Sequence, residues 1–290
     1  MVDERYVRHI PALGEEGHRK IESTQVGIVG LGGLGSQVVQ GLAYLGVRSF
    51  VLVDDDYVDI TNLNRLIGAT PADAEAQTLK VIVAERLIKQ VKPEATVRAI
   101  ARNLRTREAI EALISCPMLF GCVDHDGPRL VLMEMAAVYD VTLIDCASEI
   151  LPENGKLAEF GGRVVVARPG DFCLDCANQI HMETAKQELE TPVTRELRRA
   201  HGYGLGDEGQ AASVVSLNGV IANLAITEFL FMVTGIREPN RHFTYYGLRG
   251  IVNTRQDKRR DDCYTCGYLT RTGDQANIFR YLLPEEKNTT

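Results

Sequence analysis

Residue type and spacing write two kinds of chemistry into this chain. The first is phosphate binding. An apolar run (Val26, Ile28, Val29) leads into Gly30-Leu31-Gly32-Gly33-Leu34-Gly35, a strand, turn and helix pattern whose backbone N–H groups and positive helix end attract phosphate. Gly30 suits the tight turn, Gly32 lets a phosphate reach the backbone, and Gly35 lets the helix pack on the strand. Asp54 ends the next apolar run, where a dinucleotide enzyme holds a ribose, so the turn alone leaves nicotinamide, flavin and ATP sites open. The second is metal ligation. Cys173-x-x-Cys176 and Cys263-x-x-Cys266 can place four thiolates in a tetrahedron, a closed site suited to structural Zn²⁺. A lone pair would suit redox chemistry; two distant pairs suit a staple that ties both ends of the segment between them to one point.

Charged residues near the strand ends extend the first theme. Asp124 follows the apolar run Met118 to Val123, beside Asp126, and a carboxylate there suits Mg²⁺ completed by phosphate oxygens and water. Helix capping is the alternative: His125 or Asp126 before Gly127-Pro128 could cap the next helix, for Asp126 capping is the expected role, and for Asp124 spacing leaves both readings. Arg65 and Lys80 lie after the second strand, on segments able to fold over the glycine turn, where cations would neutralise a triphosphate. Each taken singly is more often a solvated surface charge. Asn62 reads first as a turn or cap residue. Cys116 and Cys122 read as core thiols, and Cys146, expected to end a strand at the ligand edge, is a minor candidate nucleophile.

These residues need a frame. The chain has 290 residues, 45% of them apolar, enough for one large α/β domain or two modest ones. A net charge of −7 and a pI near 5.5 argue against broad attraction to nucleic acid or anionic membrane. Charged residues crowd the first twenty positions, so no signal-peptide h-region is expected there and the chain is expected to be cytoplasmic. Val214 to Gly235 is long enough to span a bilayer, but Asn218, Asn223 and Glu228 interrupt it, so a buried helix is expected instead.

The apolar pattern alternates strand and helix. Strands are expected at 26–29, 50–53, 96–101, 118–123 and 141–146, with helices at 35–46, 78–91, 106–115 and 128–139 between them. That is a doubly wound, Rossmann-like sheet whose ligands sit outside the carboxyl ends of the strands. After Cys146 the helices stop: Leu157 to Ala167 reads as one or two strands interrupted by Gly161-Gly162, and strands recur near Phe243 to Tyr246 and Gly250 to Thr254. Antiparallel strands therefore extend the sheet. Residues 177–212, rich in charge and glycine, read as a partly helical, mobile crossover, and the first two dozen residues as a short helical arm.

The ordered set resembles the E1-like activating enzymes, the family of the molybdopterin- and thiamine-pathway adenylyltransferases and of the adenylation domains of ubiquitin activators. The matching residues are Arg5-Tyr6-x-Arg8, Gly30-x-Gly32-Gly33-x-Gly35, Asp54-x-Asp56, Asn62-Leu63-x-Arg65, Lys80, Cys122-x-Asp124 and both Cys-x-x-Cys pairs. The resemblance spans residues 5 to about 267 and implies a single E1-like adenylation domain over 1–290. Its parts are an N-terminal arm (1–24), a nucleotide-binding part (25–170), a segment with zinc site, crossover loop and C-terminal strands (171–267), and a tail (268–290).

It further implies that Asp54 holds the ATP ribose, that Asn62, Arg65 and Lys80 contact the phosphates, that Asp124 binds Mg²⁺, and that Arg8 or Arg5 reaches into the partner's site of a homodimer. The implied reaction is adenylation of the C-terminal glycine carboxylate of a ubiquitin-like or sulfur-carrier protein. Two features depart from the family: Leu66 and His9 stand where relatives place glutamine, and no cysteine lies between Cys176 and Cys263. The second departure argues against an own-cysteine thioester step. Adenylation of a short peptide or other small carboxylate, a nicotinamide oxidoreductase, and a non-catalytic scaffold are the alternatives.

Overall fold

The apolar run that enters the glycine turn forms β1 (Gln25–Val29), with four of its five residues buried. A strand buried on both faces must be covered by helices on both sides, and the sequence supplies them. β1 pairs in parallel with β2 (Ser49–Val53) on one side and β4 (Met118–Gly121) on the other. β3 (Thr96–Ile100) lies beyond β2 and β5 (Thr142–Glu153) beyond β4. Then β6 (Lys156–Ala167), β7 (His242–Tyr246) and β8 (Ile251–Thr254) add antiparallel strands, giving one eight-stranded sheet ordered β3-β2-β1-β4-β5-β6-β7-β8. The order reverses between β1 and β4, which makes a crevice at their carboxyl ends. The computed structural model describes residues 3–191, 194 and 212–284.

The helices are α1 (Ile10–Ser23), α2 (Gly33–Leu45), α3 (Pro71–Glu75), α4 (Lys80–Val91), α5 (Arg107–Leu113), α6 (Asp126–Val138), α7 (Met182–Glu188) and α8 (Val215–Thr234). Residues of α2, α4 and α8 share one core with Ile28, Phe50, Leu52 and Phe120. Residues of α5 and α6 share a second, on the opposite face, with Leu119, Leu143 and the four paired cysteines. Each large apolar side chain so buried contributes about 2 kcal/mol.

The doubly wound sheet with its antiparallel extension is as the sequence pattern leads one to expect, and three details differ. β5 does not end at Cys146 but runs to Glu153, and Cys146 is an interior core residue with 0% exposure. The hairpin into β6 turns at Asn154-Gly155, both at positive φ (51° and 73°), the backbone that a tight two-residue hairpin requires. β6 is one strand. A Cβ on Gly161 would lie 2.4 Å from the Tyr245 carbonyl oxygen, and one on Gly162 2.4 Å from that of Ala147, so the glycines allow close strand approach rather than interrupting the strand.

Among the described residues, α8 is the one helix long and apolar enough to cross a membrane. It packs instead against α1, α2, β5 and β6, and its buried Glu228 accepts hydrogen bonds from both terminal nitrogens of Arg237. The expected crossover begins with α7; residues 192–193 and 195–211 lie outside the described residues. The tail docks on α6: Ile278 and Leu282 are buried, and Arg280 and the Tyr281 hydroxyl both donate to Glu134. At the other end Tyr6 is buried, and its hydroxyl accepts from the buried Lys92, which also pairs with Glu22 at 3.1 Å.

Candidate nucleotide site and cysteine cluster

The glycine turn sits where β1 delivers it, at the crevice. Gly30 has φ +85°, and a Cβ there would stand 2.6 Å from the Cys122 carbonyl oxygen. At Gly35 a Cβ would stand 1.9 Å from the Gly30 carbonyl oxygen, so any side chain would push α2 off the strand. Gly32 is the opposite case: it caps α2 without a side-chain hydrogen bond, and nothing lies within 4 Å of where its Cβ would be. On the Gly32 side the start of α2 therefore faces open space, with its N-cap making no side-chain hydrogen bond, the arrangement that takes an anion.

Asp54 braces this turn. Its two carboxylate oxygens accept the Leu31 N–H at 2.6 Å and the Asp56 N–H at 2.9 Å, and burial holds its carboxyl above the ordinary range. Lys80 opens α4 and pairs with Asp56 at 2.7 Å. Arg65 does fold over the turn: its Cγ would lie 3.0 Å from a Cβ on Gly33, while its guanidinium donates to the Thr61 carbonyl at 2.6 Å. Asn62 closes a capping box with Asp59 around the short turn Ile60–Asn62, the local role that spacing favoured. Asp124 is left open, with 88% of its side chain exposed and only the His125 ring near it, at 3.7 Å. In the arm, Arg5 is held by Asp3 and Glu94; Arg8 is exposed and makes no hydrogen bond or ion pair among the described residues.

Two expectations are corrected here. Asp126 does not cap α6: it is the first helical residue, its carboxylate accepts the His181 N–H at 3.0 Å and pairs with Arg129, and Glu188 of α7 accepts the Gly127 N–H instead. The crossover's first helix thereby docks on the helix that follows Asp124. Cys146 is no candidate nucleophile, because the neighbouring Cys122 thiol and full burial push its own thiol well above the ordinary value, and a protonated buried thiol does not attack.

Spacing also missed a charge network. Asp145 of β5, with 0% exposure, pairs with Arg163 of β6 and lies 3.7 Å from Arg129. Arg129 also donates to the Val123 carbonyl, next to Asp124, and Arg163 to the Gln179 carbonyl, three residues after Cys176 of the first cysteine pair. The signal was present as an aspartate inside an apolar strand, which must find a cation when buried. An open groove of about 430 Å³ adjoins the network on the antiparallel extension, lined by Glu149, Gly161, Gly162, Arg163, Thr244 and Tyr246.

Cys173, Cys176, Cys263 and Cys266 are all buried and their sulfurs lie within 4.8 Å of one another. The Sγ atoms of Cys173 and Cys263 are 3.5 Å apart, those of Cys176 and Cys266 3.9 Å. A tetrahedron with Zn–S bonds of about 2.3 Å has edges of about 3.8 Å. Burial, with the neighbouring sulfurs adding to it, pushes the Cys263 thiol up to about 12. Two backbone N–H groups already point at sulfur: Arg260 to Cys176 at 3.4 Å and Cys266 to Cys263 at 3.5 Å, contacts that would stabilise thiolates. The donor set thus fits a closed tetrahedral ion.

A profile of the ThiF family matches residues 5–265. The chain is similar to the Adenylyltransferase and sulfurtransferase uba4 of Aspergillus terreus, at 27% identity over 275 residues, covering 92% of this chain and 53% of that protein. It therefore spans about half the length of that relative. It is also similar to the Sulfur carrier protein ThiS adenylyltransferase of Escherichia coli, at 29% identity over 268 residues, covering 91% of this chain and 94% of that one. Among solved structures, E. coli MccB with ATP matches with a TM-score of 0.70 at 19% identity, over 92% of this chain and 75% of that one, a likeness of fold.

Proposed function

Because the chain belongs to the ThiF family, we propose that it is an E1-like adenylyltransferase. It joins ATP to the C-terminal glycine carboxylate of a small ubiquitin-like or sulfur-carrier protein and releases pyrophosphate. One observation carries this reading: the uncapped, open start of α2, flanked by Arg65 and braced by Asp54, lies on the same strand edge as the exposed Asp124.

The chemistry asks for charge control rather than proton transfer. An α-carboxylate with a pKa of roughly 3.5 is already ionised at neutral pH, so no general base is needed. What must be overcome is the approach of one anion to another. The N–H groups at the start of α2 take phosphate oxygens. Each Asp54 oxygen is spent on one backbone N–H, which leaves acceptor sites for ribose hydroxyls. Arg65 and Lys80 hold positive charge beside the phosphates, Asn62 keeps its amide N–H free of the capping box, and Arg8 brings a further cation from the partner protomer of a homodimer. Mg²⁺, which Asp124 would hold with the phosphates, supplies neutralising charge when bound. The groove beside Arg163, floored by glycines, is where a small-residue tail would lie. Zn²⁺ at the four cysteines would cross-link the two ends of the crossover. With no cysteine between Cys176 and Cys263, the acyl-adenylate passes to another molecule. We further propose that the chain acts in the cytoplasm, without nucleic-acid or membrane partners.

The test is exchange of labelled pyrophosphate into ATP. Exchange is expected only when a carrier with a free C-terminal glycine is added, and Asp124→Ala should reduce it about a hundredfold, the typical loss of one such electrostatic contact. Equal exchange with a synthetic tail peptide would move the substrate to peptides. Binding of NAD(H) but not of Mg-ATP would overturn adenylation itself.

A further inference from the structure

The apolar pattern of α8 gives no reason for a polar residue at Asn218, which has 1% exposure. Its Oδ1 accepts from the Ser148 hydroxyl of β5 at 3.0 Å, and its Nδ2 donates to the Ser213 hydroxyl, just before α8, at 3.1 Å. Two serines from different segments thus fix the plane of the amide. The same Nδ2 lies against the first residue of α2, only 2.5 Å from where a Cβ on Gly33 would be, on the spot that the Arg65 stem also approaches. That nitrogen carries two hydrogens. One goes to Ser213; the other has no acceptor among the described residues. Leaving a buried donor unpaired is costly, and a leucine at this position would avoid the cost.

We propose that Asn218 is a further nucleotide-binding residue, its spare amide N–H directed at the phosphate chain gathered at the start of α2. The inference rests on the ATP reading above and deepens it. The amide adds a neutral donor beside Arg65, whose guanidinium is turned to the Thr61 carbonyl and the Asn64 side chain. Because Ser213 leads directly into α8 and Ser148 lies on the extension that carries the groove, the amide also links the strand bearing the tail groove to the phosphate end of the nucleotide.

The test is calorimetric binding of Mg-ATP and of adenosine to the full chain, comparing wild type with Asn218→Asp and Asn218→Leu. Aspartate is nearly isosteric, and both serine hydroxyls can donate to it, so the fold is retained; melting temperatures within a few degrees of wild type check this. With a carboxylate facing the phosphates, Asn218→Asp should bind Mg-ATP about tenfold more weakly, while its affinity for adenosine, which has no phosphate, stays unchanged. Asn218→Leu should weaken Mg-ATP binding by a smaller factor, again sparing adenosine. Equal weakening for both ligands would mean a packing role and overturn the inference, as would Mg-ATP affinity unchanged in Asn218→Asp. Wild-type protein that binds no Mg-ATP would overturn the adenylation reading and this inference with it, whereas unchanged variants of a binding wild type overturn this inference alone.

Discussion

The cysteine cluster and the nucleotide edge use opposite strategies for holding a ligand. At the cluster, four side chains from pairs about ninety residues apart are buried and already gathered within 4.8 Å. At the nucleotide edge a braced floor, Asp54 and Asn218, is joined by groups left open to water: Asp124 has 88% of its side chain exposed, Asp56 68%, and Arg8 has no partner among the described residues. A ligand that stays for the life of the protein repays burial of its donors, because binding energy then becomes folding energy. A ligand that must enter and leave each cycle leaves the groups it meets last, such as Asp124, solvated in its absence. The two regions are therefore expected to respond to mutation in different currencies, stability for one and rate for the other.

The largest expected effect falls on the closed region. With zinc at the cluster as proposed, Cys263→Ser should lower metal content and cost about 4 kcal/mol of stability, read by mass spectrometry and as a fall in urea midpoint. A variant that keeps its midpoint would erase the contrast. Next comes the open region: Asp124→Ala should lose about a hundredfold in pyrophosphate exchange, equivalent to about 3 kcal/mol at the transition state, while its melting temperature stays within a degree or two of wild type. A large fall in melting temperature would mean that the exposed carboxylate also holds the fold.

The N-terminal arm mixes both strategies within a few residues and gives the smallest effect. Arg8 is exposed, whereas His18 has 1% exposure, and burial lowers its pKa below 6.5 against the raising effect of Glu22. His9 and Lys92 also face it and oppose its protonation. The sign follows from proton counting: the unfolded chain binds this proton more readily than the folded one, so stability is full above pH 6.5 and is lost as pH falls towards the folded value. Stability should therefore decline between pH 7 and pH 5.5, by at most about 1.4 kcal/mol per pH unit from this residue, read as a falling melting temperature, and His18→Leu should flatten the decline. An equally steep profile in His18→Leu would assign the titration to other groups, such as His242, whose pKa burial also lowers.

Much of the fold was legible because parallel strands buried on both faces leave unbroken apolar runs, as in Val26 to Val29 and Phe50 to Val53, and because glycines mark helix ends such as Gly46. The antiparallel extension was harder to read. Ala147 to Glu153 of β5 is half polar, and its real signal was the Asn154-Gly155 turn that follows it. The site divided in the same way. Gly30, Gly32, Gly35, Asp54 and the four cysteines declare themselves because their chemistry depends on residue type and short spacing. Asn218, Arg129, Asp145 and Arg163 do not, because each acts on a neighbour distant in sequence.

By itself the sequence determined the doubly wound sheet, the glycine turn at its crevice, the two cysteine pairs and the absence of a cysteine between them. These rest on periodicity, on backbone freedom and on residue identity, all of which are local. Only the tertiary structure decided that Asp126 braces the start of the crossover instead of capping α6, that Cys146 lies deep in the core, that Arg5 is tied down while Arg8 has no partner among the described residues, and that Asn218 rests on Gly33. Those outcomes depend on which surfaces meet when the strands and helices of the described residues close on one another. A buried polar group must then find its partner wherever packing has brought one within reach.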